Sequence, residues 1–297
     1  MVRSPIRYPG GKSRHTAKIL MYLKPNEPSY CEPFVGGGSV YLASGFENAW
    51  INDIDYGVYD LWRLIKEDPD HLINLIDEHT PILEHRNDKK RVKRAISLWQ
   101  EVKNDVNHKI YSAGYRFLFL VKTCFSGVVT GGPTGGMNQN GQYYITDRWS
   151  QHSTIKRIKK ASSILQTCKI TNLSWEEVLV QADRDTSFFL DPPYLKKGSQ
   201  CYKHSFDIDD HKRLAEMVTS GKFNYVVTVD DCAELRHVWS QCGVPENRMI
   251  SEQWLYSMTA SRKRNPIGKE LFIVCDEAYN LRELRNKALV SVGLCEC

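Results

Sequence analysis

Apolar residues along this chain follow two different rhythms. Short, nearly unbroken runs bounded by polar or turn residues read as buried strands of the kind covered on both faces. The clearest are Phe188-Phe189-Leu190, Tyr225-Val226-Val227-Thr228-Val229 and Leu271-Phe272-Ile273-Val274. Ser29 to Phe34, Ala49-Trp50-Ile51 and Lys169-Ile170 are shorter examples. From about 57 to 160 the spacing becomes helical, with Leu61, Trp62, Leu64 and Ile65, then Leu72, Ile73, Leu75 and Ile76, then Val92, Ala95, Ile96 and Trp99. Tyr115 to Val121 continues as an apolar helix. Helices are also expected from Val40 to about Phe46 and from Asp209 to about Ser220, the latter between two strands. Strands alternating with helices on both sides of a helical stretch imply an α/β protein carrying a helical insert.

Between Thr123 and Arg148 the rhythm stops. Gly131-Gly132-Pro133-Thr134-Gly135-Gly136 and Asn138-Gln139-Asn140-Gly141 form a glycine-rich loop, in which Asn140-Gly141 is a hairpin signal and Gln142-Tyr143-Tyr144-Ile145 a possible strand. Two basic clusters flank this region, Lys89-Lys90-Arg91 with Lys93-Arg94, and Lys156-Arg157 with Lys159-Lys160. Such clusters are often solvated helix faces, but beside an amide-bearing glycine loop they suit phosphate contact. Composition leaves this picture unchanged. The 297 residues, 41% hydrophobic and 25% charged, suit one large α/β domain plus an insert, and a net charge of +5 permits a polyanionic partner without requiring one. Nine cysteines show no paired C-x-x-C spacing, so reduced thiols are expected and a zinc site is not. Without an apolar signal core or a run of about eighteen apolar residues, the expectation is a soluble cytoplasmic protein.

The chemistry concentrates at Asp191-Pro192-Pro193-Tyr194. Two prolines directly after an apolar run end the sheet ladder and stiffen the loop at a strand's carboxyl end, where open α/β sheets bind ligands. One carboxylate, outward carbonyls and one aromatic ring could hold a planar base by its amino group and its face. A second signal is Glu32-Pro33-Phe34-Val35-Gly36-Gly37-Gly38-Ser39, a strand running into a glycine turn where backbone can approach a ligand closely. The next strand ends at Asn52-Asp53, and an acid in that place commonly accepts ribose hydroxyls. The glycines do not complete G-x-G-x-x-G, so a nucleoside fits better than a dinucleotide.

With Arg7-Tyr8-Pro9-Gly10-Gly11-Lys12 near the start and Phe206 through His211 to Leu214-Ala215 near the end, these motifs occur in an order that resembles the Dam-like DNA adenine-N6 methyltransferases. The resemblance spans residue 7 to about 275. It implies a Rossmann-like class I methyltransferase sheet, mostly parallel with one antiparallel strand. It also implies S-adenosylmethionine as methyl donor, double-stranded DNA as partner, and no membrane or metal; a monomer is expected. The catalytic domain would be 1–56 and 161–297, with 57–160 as a target-recognition insert. Asp191, Pro192, Pro193 and Tyr194 would be catalytic. Tyr8, Lys12, Phe34, Gly36, Gly38, Asp53, Ser174 and Asp191 would hold the cofactor. Candidate DNA contacts are Lys122, Ser126, Thr130, Asn138, Gln139 and Arg148.

The chain departs from the family in two places. After the apolar helix the family carries aromatic-Asn-Gly and then an arginine, whereas here Phe125-Ser126-Gly127 is followed by Thr130, so readout of a GATC site is not implied. Ser174 stands where the family has an acid for the cofactor's adenine, and a hydroxyl can accept the same hydrogen bond without the charge. Two other readings stay open: a catalytically inert DNA-binding relative, and amino methylation of cytosine N4, RNA or a protein amide. The basic stretch Ser257 to Asn265 is a candidate backbone contact. His204 and His211 read as surface or capping residues, and Trp175 as core.

Overall fold

A computed structural model describes residues 2–23, 28–83, 89–195, 206–221, 223–255, 267–276 and 280. Its strands are β1 (Ser29–Glu32), β2 (Ala49–Asn52), β3 (Lys169–Thr171), β4 (Thr186–Leu190), β5 (Asn224–Asp230), β6 (Met249–Leu255) and β7 (Ile267–Val274). Among the described residues they form a seven-stranded sheet in the order β3-β2-β1-β4-β5-β7-β6. β1 pairs in parallel with β2 and β4, and β4 with β5, while β7 runs antiparallel to both β5 and β6. One antiparallel strand in a mostly parallel sheet is what the sequence led us to expect. β2 and β4 are buried along their whole length, which explains their continuous apolar sequence.

The chain forms two compact units. The first comprises Met1–Ser13, Gly36–Ala43 and Asp53–Asn172; the second comprises Arg14–Val35, Ser44–Asn52 and the described residues of Leu173–Cys297. In the first lie α3 (Tyr56–Glu67), α4 (Pro69–His79), α5 (Lys89–Asn104), α6 (Ala113–Thr123) and α7 (Gln151–Leu165). Each helix start that matters here has a chemical reason. Asp55 caps α3 by accepting the Gly57 amide at 2.8 Å, and Asp68 caps α4, whose first residue is proline. Leu61, Trp62, Ile65, Leu72, Ile76, Trp99, Tyr115 and Phe119 face inward at helical spacing and form this unit's core. At the α3–α6 crossing, a Cβ on Gly114 would lie 2.6 Å from the Leu61 backbone nitrogen, and the Gly114 amide donates to Asp60 Oδ2 at 2.7 Å. Only glycine lets the two backbones approach so closely. Helix α7 continues unbroken across residue 160.

The second unit contains α1 (Thr16–Leu20), α8 (Trp175–Gln181), α9 (Ile208–Ser220) and α10 (Ala233–Gln241). Its core includes a cluster that packs helices against one face of the sheet, with Phe188, Leu190, Val227 and Ile273 side by side across paired strands and Trp239 of α10 among them. A fully buried side chain of this size contributes about 1.5–3 kcal/mol, so this cluster is a main source of the unit's stability.

Candidate functional site

Two sets of residues carry the motifs. The first surrounds the glycine turn. Gly36 and Gly38 have φ of +42° and +58°, in the left-handed region. Their missing side chains make room for the protein's own rings. A Cβ on Gly36 would sit 2.7 Å from Tyr8 Cδ1, and one on Gly38 would sit 2.5 Å from Trp62 Cζ2. Trp62 also donates its indole N–H to the Gly36 carbonyl at 3.0 Å. Tyr8 therefore lies on the turn, and its ring is 6.0 Å from Phe117. The helix after the turn, α2 (Tyr41–Ser44), is shorter than the Val40 to Phe46 stretch expected. Lys12 is buried, with Nζ donating to the Gly10 carbonyl at 3.1 Å.

Asp53 closes this turn. Its Oδ2 accepts the Gly36 amide at 2.9 Å and its Oδ1 the Asp55 amide at 3.0 Å. Part of its surface still meets solvent, yet the surrounding protein desolvates the carboxylate and pushes its pKa up to about 7 against the pull of those two amides. Each oxygen keeps a further lone pair, which is what a ribose diol needs.

The second set lies at the carboxyl edge of the sheet. Cys31 pairs with Phe188 and Leu190 with Val227, so β1, β4 and β5 end side by side. Asn52 ties this edge together, donating to the Pro33 and Leu173 carbonyls at 3.0 Å each and accepting the Leu173 amide at 2.8 Å. Sequence reasoning noted Asn52 only as the neighbour of Asp53. A buried amide at a strand end is the signal that could have revealed it. Asp191 follows β4 directly, and its Oδ1 accepts the Thr228 hydroxyl at 2.7 Å. Pro192 is buried and Pro193 half-buried, while Tyr194 is 8% exposed and donates its hydroxyl to Glu270 Oε1 at 2.7 Å. Neither Thr228 nor Glu270 was singled out from the sequence, because both sit in strands that read simply as core.

Phe34 packs edge-on against Phe206 at 5.8 Å and lies 6.5 Å from Trp175, which is buried as expected. Ser174 caps α8, its hydroxyl accepting the Glu177 amide at 3.2 Å. His211 requires a correction. It is fully buried against Phe206 at 4.8 Å, not on the surface, and among the described residues neither ring nitrogen has a hydrogen-bond partner. Burial lowers its pKa to about 4, so it is a neutral core residue.

The proposed DNA contacts all fall in the first unit, in varied settings. The Lys122 ammonium lies 5.4 Å above the Trp149 ring, with its pKa lowered to about 8 by burial and the nearby Arg157. Thr130 and Asn138 are exposed. Ser126 is half-buried with φ of 55°. Gln139 turns its amide inward, donating to the Thr134 and Gly136 carbonyls at 2.7 and 2.6 Å and accepting the Ile145 amide at 2.8 Å. That last bond draws residues 142–145 into bends leading to a 3-10 turn, Ile145–Arg148, where a strand was expected. The side chain of Arg148, together with His204 and the stretch Ser257 to Asn265, lies outside the described residues.

Sequence comparison places this geometry in context. The description "D12 class N6 adenine-specific DNA methyltransferase" matches residues 8–258. The chain belongs to that family. Among its relatives, the type II methyltransferase M.MjaIII of Methanocaldococcus jannaschii is 29% identical over 72% of this chain and 78% of its own length. The type II methyltransferase M.CviBI of Paramecium bursaria Chlorella virus NC1A is 23% identical over 79% and 85%. The DNA adenine methylase of Vibrio cholerae is 25% identical over 72% and 75%. As a D12-class chain it is an adenine-specific DNA methyltransferase, and the matched span contains both the glycine turn and Asp191 to Tyr194. Among the described residues no group of His, Cys, Asp and Glu side chains is arranged to hold a metal ion, and no helix is long and apolar enough to cross a membrane.

Proposed function

We propose that the protein methylates the N6 amino group of an adenine flipped out of double-stranded DNA, using S-adenosylmethionine. The supporting observation is Asp191, fixed by Thr228 at the end of β4, beside the end of the β1 strand whose chain continues into the glycine turn. The fit of the cofactor rests on this structure's donor set: a carboxylate with spare lone pairs at Asp53, the left-handed glycines Gly36 and Gly38, and the Tyr8 ring lying on Gly36. Asp53 would take the ribose hydroxyls, with Tyr8, Lys12, Phe34 and Ser174 around the remainder.

When bound, S-adenosylmethionine supplies a methyl group on a sulfonium whose departure leaves a neutral thioether. The protein's task is the amino nitrogen, whose lone pair is delocalised into the purine. The Asp191 carboxylate and the Pro192 carbonyl accept the two amino hydrogens, drawing the nitrogen toward tetrahedral geometry and stabilising the positive charge that grows there. Tyr194 stacks on the extruded base, and the proline pair keeps the corner that grips it stiff. No acid is needed for the leaving group. Residues 57–160 serve as the recognition insert, with Lys122, Thr130 and Asn138 offered to DNA. With Ser126 and Thr130 in place of the family's amide and arginine, readout of GATC is not implied. Labelled S-adenosylmethionine and unmodified genomic DNA, followed by mapping of modified bases, should show N6-methyladenine in a fixed context. Label on cytosine, or on no base, would overturn this function.

A further inference from the structure

Both side chains of the base-gripping corner are anchored from a single face of the β5–β7 pair. Thr228 lies opposite Phe272, and Asp230 lies opposite Glu270. Directly opposed residues of an antiparallel pair share a face, and so do residues two apart on one strand. Thr228 and Glu270 therefore project together, one to Asp191 Oδ1 and the other to the Tyr194 hydroxyl, each at 2.7 Å. Glu270 is 4% exposed, and its other cross-strand neighbour is Glu252, also buried. Three acids, Asp230, Glu270 and Glu252, thus stand in one row across the sheet. Like charges directly opposite each other oppose folding. Lys18 offsets one end of the row through its ion pair with Glu252. An acid placed so unfavourably, yet hydrogen-bonded to the motif tyrosine, points to a role other than stability.

We propose that Glu270 is a positioning residue for methyl transfer, holding the plane of the Tyr194 ring by a charge-assisted hydrogen bond while Lys18 and Glu252 neutralise the next rung. This rests on reading Asp191 to Tyr194 as the corner that grips adenine. A tyrosine freed at its hydroxyl end would let the stacked base rock, and small misplacements at the reacting atom cost rate out of proportion to their size.

The test compares E270A, E270Q, Y194F and the double variant Y194F/E270A in steady-state transfer to DNA, with thermal melting as a check on folding. E270A and Y194F should each lower kcat on the order of tenfold with the KM for methyl donor nearly unchanged. The double variant should be no slower than either single one, because both remove the same bond. E270Q keeps an oxygen that accepts the hydroxyl, and should restore most of kcat. The inference fails if Y194F is fully active, if the two losses multiply, or if E270Q is as slow as E270A. Should E270A not fold, Y194F and E270Q decide the matter alone. A wild-type protein that methylates no adenine sinks the functional reading and this inference with it; an active wild type with an indifferent Tyr194 hydroxyl sinks the inference alone.

Discussion

Replacing Gly38 by alanine would put a Cβ 2.5 Å from Cζ2 and 2.9 Å from Cη2 of Trp62. That ring cannot yield, since Trp62 is fully buried and its indole N–H is held by the Gly36 carbonyl. Forcing an L-residue to φ of +58° adds about 1–2 kcal/mol, and overpacking the ring about 1–3 kcal/mol more. The sum, about 2–5 kcal/mol, is a large part of the ~5–15 kcal/mol that holds a typical domain folded. At about 2–4 °C per kcal/mol, melting should fall by roughly 5–20 °C. Gly36→Ala is the informative control. It carries a similar backbone penalty at φ of +42°, but its Cβ meets Tyr8 Cδ1 at 2.7 Å, and Tyr8 is only half-buried and can swing away. That variant should lose roughly 2–8 °C but bind S-adenosylmethionine distinctly more weakly, because the ring it displaces lines the proposed pocket. Differential scanning fluorimetry and titration calorimetry on both variants separate the two effects. A Gly38→Ala protein that melts with wild type, or a Gly36→Ala protein that melts below the Gly38→Ala one, would refute the assignment of these rings.

Asp191→Ala should lower kcat by about a hundredfold or more while leaving S-adenosylmethionine affinity within a few-fold, measured by single-turnover transfer and calorimetry; near-normal turnover would mean the amino group is activated elsewhere. Asp53, with its pKa near 7, must be ionised to accept ribose hydroxyls, so S-adenosylmethionine Kd should fall by up to about tenfold per pH unit as pH rises toward 7, then level off; Asp53→Asn should flatten that profile, and a flat wild-type profile would exclude the role. His211 binds a proton near 6.5 when unfolded but only near 4 when folded, so its stability contribution holds above pH 6.5 and is lost as pH falls toward 4, on the order of 3 kcal/mol; His211→Leu should blunt acid unfolding followed by circular dichroism. Ser126→Asn, placing a residue that tolerates the left-handed region at φ of 55°, should raise stability by about 0.5 kcal/mol; a lower melting temperature would contradict it.

What could be read directly from the residues depended on burial. Strands β2, β4 and β5 are enclosed on both faces, so their sequences are nearly pure apolar runs and were legible. β6 was not, because an edge strand carrying Ser251, Glu252 and Gln253 lacks such a run. Asp191, Gly36 and Asp53 announced themselves by residue type and spacing. Their supports did not: Thr228 and Glu270 reach the corner only through pairing between strands distant in sequence. His211 was misjudged because a histidine flanked by Asp209, Asp210, Lys212 and Arg213 looks solvated, yet in α9 it falls on the same inward face as Leu214, Ala215 and Val218. The strand expected at 142–145 failed because Gln139, a side chain, claimed the backbone N–H of Ile145.

Helix α3 begins three residues after Asp53, sends Trp62 under the glycine turn, and offers its backbone at Leu61 to Gly114 of α6. The same rod therefore braces the turn at one point and, at another, α6, whose last turn carries Lys122 and which leads on to Ser126. Pushing that crossing apart, as Gly114→Ala would, should be felt as weakened S-adenosylmethionine binding at a place no substituted atom touches. The proposed seat of the small molecule and the proposed arm toward the polymer thus hang from a common beam.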